Sequence, residues 1–415
     1  MFNHGGGLAA GYGDFPPWQP TNWISNFPDL IIVNFNYRLN SFGYLGLDNL
    51  GSKILLCATN IANEDGVHGN FGVHDQNAAI EWVYENIHYF GGDNEQITLM
   101  GQSAGGQSVF THAQWSKSSK MIKNFIANSG PALLPPHGAL KEDYYAFGER
   151  FLRDTECRDN LNVWRCLRGL STEELKNATE AVTIPNFWTD GLGALVEPFR
   201  PVSDRPAVNF TVAGEDVIFK FENSASAIFA GKTSDAPMLV GWNREDPLGW
   251  IAAVFPNGTM TVARIFSEYI FDCGNRYMLQ NRDSNLWLYQ MEAPSPVAFN
   301  ETGFEGCDEG ACHGVELYYL FGSFDRLSQV FPDIPNFDPS EEALELSRQM
   351  QIAYLEFMKT GQMLWPEYNL SSQLVARYQL GGIKTEVRLN SEVCEVFNRL
   401  ENNQRYDRHI YEFEE

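Results

Sequence analysis

The sequence is short of positive charge. Lys and Arg together number 29 against 53 Asp and Glu, which leaves a formal net charge of −24. Such a field repels phosphate backbones and anionic lipid surfaces, so nucleic acid and membranes are not expected partners. It would attract a cationic substrate, but a self-repelling acidic surface explains the same balance. Long apolar runs are missing too, and no stretch has the length needed to cross a bilayer. The closing Tyr411-Glu412-Phe413-Glu414-Glu415 lacks the hydrophobic tail that a lipid-anchor signal requires. Repeats, low-complexity runs and Pro/Gly/Ser-rich linkers are absent, so residues 1–415 are read as one domain. No second Cys/His cluster accompanies the cysteines, which argues against a zinc site.

The opening Met1-Phe2-Asn3-His4-Gly5-Gly6-Gly7 has neither a charged nor an apolar leader segment. Yet the chain carries seven cysteines and five glycosylation sequons, starting at Asn177, Asn209, Asn257, Asn300 and Asn369. That combination belongs to an oxidising compartment. The expectation is a secreted or secretory-pathway glycoprotein whose true start, with its signal peptide, lies upstream.

What is present alternates strand and helix. Leu30–Phe35 is a short β-branched run and reads as a buried strand. Ala78, Ala79, Trp82, Val83 and Ile87 recur at helical spacing over Asp75–Ile87. Gly91-Gly92-Asp93 breaks the chain before a second strand at Gln96–Met100, a strand–helix–strand order that suggests a right-handed parallel crossover. Leu140–Val182 is mostly helical, with a capping box at Ser171-Thr172-Glu173-Glu174. Strands are expected at Pro237–Gly241 and Leu286–Tyr289, and a long helix at Glu341–Lys359. This pattern predicts an α/β fold with a mostly parallel central sheet flanked by helices.

Two motifs carry chemistry. Gly101-Gln102-Ser103-Ala104-Gly105 fits G-x-S-x-G, in which small neighbours let a nucleophilic serine sit on a strained strand-to-helix turn. The pentapeptide alone is weak, but a strand ends at Met100 and Gln107–Phe110 can continue a helix. His4-Gly5-Gly6-Gly7 could supply backbone N–H donors for an oxyanion, because glycine lets the backbone approach a substrate closely. Taken alone, a glycine run at a chain start also reads as a flexible tail.

Together with Asn36-Tyr37-Arg38, Phe42-Gly43, Asn70–Gln76, Trp82-Val83, Asn86-Ile87 and Phe90–Asp93, these motifs resemble the type-B carboxylesterase/cholinesterase family nearly end to end. The resemblance implies an α/β-hydrolase fold whose N-terminal strands are missing here, so that this form is expected to fold poorly alone. It implies Ser103 as nucleophile, and Gly6, Gly7 and Ala104 as oxyanion donors. His313, within Gly310–Leu317, is the implied base. The acid is expected at Asp246, where the family pattern has Glu, with Glu245 as the alternative. Arg38 and Asp75 would form a structural ion pair. Disulfides would join Cys157 to Cys166, Cys273 to Cys394 and Cys307 to Cys312, leaving Cys57 over. Neither metal nor other cofactor is implied.

Two departures narrow the expectation. Gln102 stands where cholinesterases carry a Glu, which weakens the case for a choline ester. Small-molecule or lipid esters fit better, placing a carboxylesterase or lipase-like enzyme ahead of a cholinesterase. The alternative is a non-catalytic adhesion or scaffold protein of the same fold, but such proteins usually lose the Ser or the His.

Overall fold

A computed structural model describes residues 1–47, 70–131, 141–160, 163–182, 211–212, 215–216, 234–249, 260–275, 282, 285–296, 306–330, 338–369, 371–387 and 394. Its centre is a seven-stranded sheet whose strands follow chain order. These are β1 (Phe2–Asn3), β2 (Thr98–Gln102), β3 (Asn124–Asn128), β4 (Met238–Asn243), β5 (Leu286–Met291), β6 (Leu374–Gln379) and β7 (Gly382–Val387). Neighbours from β1 to β6 pair in parallel, and β6 and β7 form an antiparallel hairpin. The sheet is thus mostly parallel and flanked by helices, as expected.

Side chains alternate between two apolar layers, as the period of a strand requires. Met100, Ile126, Leu239 and Trp287 point into one layer, closed by α7 (Val315–Phe321) and α8 (Glu341–Thr360). Leu99, Phe125, Ala127, Val240 and Leu288 point into the other, closed by α1 (Phe71–Asn86) and α2 (Ala104–Gln114). Covered on both faces, β2 to β5 are buried along their whole length, which is why they read as continuous apolar runs.

Between β3 and β4 lie α3 (Lys141–Arg153), α4 (Val163–Gly169) and α5 (Thr172–Val182). The capping box forms at the start of α5. Ser171 N donates to Glu174 Oε2 at 2.7 Å, and Glu174 N donates to Ser171 Oγ at 3.2 Å. A further helix, α6 (Met260–Ser267), precedes β5 in the chain. At α8, Ser340 Oγ accepts from Ala343 N at 3.2 Å and Gly361 closes the other end with φ 72°.

Two expectations need correction. Leu30–Phe35 is no buried strand: it makes one parallel bridge, Phe2 to Asn34, and Ile31 is 40% exposed. It lies outside β1 at the sheet edge, where pairing on one side sustains only a fragment of ladder. In α1 the buried stripe is Val73, Gln76, Asn77, Ile80 and Val83, with Ile87 beyond, while Ala78 and Trp82 face outward. Helical spacing allowed two registers, and the one that puts Ile80 and Val83 into the apolar layer with Leu99 and Phe125 is the one that forms.

All three expected disulfides are present: Cys157–Cys166, Cys273–Cys394 and Cys307–Cys312. Cys57 lies outside the described residues. Arg38 grips Asp75 with Nε to Oδ2 at 2.7 Å and Nη2 to Oδ1 at 2.8 Å, tying the chain before α1 to its first turns.

Candidate active site

Parallel neighbours bring the two motifs together. β1 and β2 pair with Asn3 opposite Gly101, so His4–Gly7 and Ser103 emerge side by side at the same sheet end. Ser103 sits between β2 and α2 with φ 58° and ψ −128°, a region that non-glycine residues rarely occupy. Its N–H donates to Asn128 O at 2.9 Å, fixing the turn to β3. A methyl at Gly105 would fall 2.0 Å from Asn3 O, so only glycine lets the turn close on the strand beside it. The start of α2 points its unpaired N–H groups at this corner, which favours negative charge there.

The glycine loop is held from behind. His4 is buried, stacks on Tyr37 with ring centroids 4.4 Å apart, and directs Nδ1 to Gly5 O at 2.8 Å. Tyr37 Oη donates to His4 O at 2.7 Å. Burial lowers the pKa of His4, and the hydrogen bond to Gly5 O works against it. Gly6 and Gly7 have φ of 109° and 60°, and Gly6 O accepts from Ala9 N and Ala10 N at 3.0 and 2.9 Å.

The acid and the histidine arrive on two loops stitched to each other. Asp246, fully buried, follows β4 and directs Oδ1 at His313 Nδ1. Its Oδ2 accepts from Ser129 Oγ at 2.6 Å and from Asn243 N at 2.8 Å. Backbone bonds run His313 N to Asp246 O at 3.0 Å and Glu245 N to Ala311 O at 3.1 Å. The carboxylate beside Nδ1 holds the proton there, so Nε2 is the acceptor nitrogen. That nitrogen accepts from Gln102 Nε2 at 3.2 Å.

Glu245, the alternative acid, is buried but turned away from the imidazole. Its Oε1 meets Arg244 Nε and Arg264 Nε at 2.7 and 2.6 Å, and its Oε2 accepts from Ala311 N at 2.9 Å. The sequence placed two acids side by side; successive residues on a tight turn point in different directions.

One residue escaped the sequence reading. Glu316, in the first turn of α7, is wholly buried behind the acid, and Asn243 Nδ2 donates to its Oε2. Burial first, then the nearby Asp246 charge, raises its pKa to about 7. The signal was a single carboxylate inside Val315-Glu316-Leu317-Tyr318-Tyr319-Leu320-Phe321, three residues after His313. Among the described residues, no group of three or more His, Cys, Asp or Glu could hold a metal ion.

The resemblance read from the motifs holds across the comparisons. A family model described as the carboxylesterase family matches residues 1–261. The cAMP-regulated D2 protein of Dictyostelium discoideum is 26% identical over 376 residues, covering 78% of this chain and 60% of that protein. Secreted lipase 5 of Gibberella zeae is 39% identical over 371 residues, covering 85% of this chain and 61% of its own length. A solved thermophilic PNB esterase superposes with a TM-score of 0.72 at 22% identity, covering 95% of this chain and 79% of that one. That likeness establishes the α/β-hydrolase fold. The chain therefore spans about three-fifths of the two curated relatives. With the matched model reaching over more than half its residues, the chain belongs to the carboxylesterase family.

Proposed function

We propose that this protein is a serine carboxylic-ester hydrolase in which Ser103, His313 and Asp246 form the triad and Gly6, Gly7 and Ala104 bind the oxyanion. The observation that carries the reading is the alignment of Asp246 on His313 Nδ1, beside a serine held on a strained turn. His313 Nε2 takes the Ser103 hydroxyl proton while the oxygen attacks the ester carbonyl. The three backbone N–H groups stabilise the charge on the carbonyl oxygen, helped by the start of α2. The tetrahedral species collapses, and His313 passes its proton to the departing alcohol. Water then repeats the sequence on the acyl-enzyme and releases the acid. These groups supply every proton and charge the reaction needs.

Neutral small-molecule or lipid esters are the proposed substrates, since Gln102 puts an uncharged amide beside the nucleophile. Residues 1–415 act as a single domain in this reading. Three disulfides support an oxidising, secreted or secretory-pathway location. Among the described residues no helix is long and apolar enough to cross a membrane. Asn177 and Asn369 are exposed, and Asn369, outside any helix or strand, is the better glycan acceptor. The Asn177 sequon lies within α5 with its Thr179 buried. Asn209, Asn257 and Asn300 lie outside the described residues.

The test is labelling with a fluorophosphonate probe and peptide mass spectrometry. An adduct confined to Ser103, and lost in folded His313→Ala, is expected. A folded protein that takes up no probe would refute the hydrolase reading in favour of the adhesion or scaffold one.

A further inference from the structure

Gln102 touches three parts of the site at once. It ends β2, is 2% exposed, and immediately precedes the proposed nucleophile. Its Nε2 donates to His313 Nε2 at 3.2 Å. Its Oε1 lies against the glycine loop, 2.9 Å from where a methyl on Gly5 would stand. Gly314, after the histidine, is a looser neighbour: a methyl there would stand 3.8 Å from Gln102 Nε2, an ordinary contact.

The groups around the imidazole make the neutrality of this amide significant. Asp246 faces Nδ1 from the loop after β4. Glu316 reaches the same region from α7 and interacts electrostatically with both Asp246 and His313. From the π-helical segment Glu268–Cys273, Phe271 presents a ring with its centroid 6.3 Å from that of His313. Ser103 lies on the β2 side. Among the described residues Asp246 favours the imidazolium, joined by Glu316 only once that acid ionises above about pH 7, and Gln102 is a donor opposing it. A hydrogen bond given to the neutral form of a base disfavours its protonation, whereas a carboxylate in the same place would favour it.

We propose that Gln102 is a positioning residue that holds His313 as a neutral base, proton on Nδ1 and lone pair on Nε2, and so extends ester hydrolysis toward acidic pH. When the Ser103 O–H bond breaks, its electron pair forms the bond to the carbonyl carbon and its proton moves to His313 Nε2. The amide donor must swing off that nitrogen as the proton arrives. Its Oε1 can then accept from the new N–H, and the contact reverses when the leaving alcohol takes the proton. The inference rests on the Ser103–His313–Asp246 reading.

The experiment measures kcat/KM for a neutral p-nitrophenyl ester from pH 5 to 9 in the wild type, Gln102→Glu and Gln102→Leu. Fluorophosphonate labelling at pH 8.5 runs on all three. Labelling at Ser103 in every protein is expected. The acid limb should move up by about one pH unit in Gln102→Glu and by less in Gln102→Leu. One unit below the wild-type midpoint, the Glu variant would then be slower by close to a further tenfold. Acid limbs that superimpose in labelled proteins would overturn the role of Gln102 and leave the triad standing. A wild type unlabelled at Ser103 at any pH would overturn both. A purely structural role would lower activity or stability without moving the limb.

Discussion

Asp246→Asn separates the two neighbouring acids most sharply. The carboxylate faces donors on both oxygens: His313 Nδ1–H on one side, and Ser129 Oγ–H with Asn243 N–H on the other. An amide has one oxygen and one NH2 group, so one side must face a clash of donors. The Asn243 N–H belongs to the backbone and cannot turn. The amide nitrogen is therefore expected toward His313, forcing the imidazole proton onto Nε2, where no lone pair remains for Ser103. Exchanges that install the wrong tautomer in serine proteases lower kcat by about 10⁴, equivalent to roughly 5 kcal/mol of barrier. Glu245→Gln should behave differently. Its amide oxygen can still accept from Ala311 N, and Arg244 and Arg264, 29% and 45% exposed, can hydrate. We expect a loss of kcat/KM within about tenfold and a stability loss of roughly 1–3 kcal/mol. Ester hydrolysis at pH 8, with thermal unfolding by circular dichroism, measures both. Asp246→Asn retaining more than a tenth of the activity, or Glu245→Gln losing as much as it, would refute the assignment.

Three further predictions concern stability. His112 is buried between Gln76 Oε1 and Ser118 Oγ, each at 3.0 Å, and burial lowers its pKa to about 3. The fold holds it neutral while the unfolded chain protonates below its ordinary 6.5. Its contribution, complete above 6.5, should be lost at about 1–2 kcal/mol per pH unit as pH falls toward 3. Urea unfolding at pH 6.5, 5.5 and 4.5 should show a slope that flattens in His112→Gln. Glu316 has the opposite sign, because its raised pKa makes the fold prefer the protonated acid. Its contribution is complete below 4.5 and lost as pH rises through about 7. Glu316→Gln should therefore gain roughly 3 kcal/mol relative to the wild type between pH 4 and pH 8, and an unchanged difference would count against a buried neutral acid. Replacing Cys273 and Cys394 by serine opens a link between positions 121 residues apart. Loop-closure entropy then predicts a loss of roughly 4–5 kcal/mol in denaturant unfolding, against roughly 2.5–3 kcal/mol for the Cys157–Cys166 pair, 9 residues apart.

Much of the fold was legible because its central strands are buried on both faces and α5 opens on a capping box. Leu239 and Trp287 could be assigned from apolar runs alone, and the Ser171–Glu174 box from four residues. The edge segment Leu30–Phe35 was misread because β-branched composition does not reveal whether a partner lies on each side. Trp82 shares the helical spacing of the apolar residues over Asp75–Ile87 yet faces outward, because that spacing fits more than one face. Glu316 went unnoticed because nothing in a one-dimensional pattern states that Asn243 and Asp246 wait behind it.

By itself the sequence determined the local chemistry: a serine between glycines, a glycine loop, and a histidine among small residues. Those features depend on backbone freedom and residue type, which are written locally. Only the tertiary structure decided which acid meets His313, since a turn of successive residues sends Glu245 to two arginines and Asp246 to the imidazole. It also decided that Gln102 meets the same ring from a strand 211 residues away in the chain. Side-chain direction at a loop depends on what packs against it, and those neighbours are fixed only when the sheet assembles.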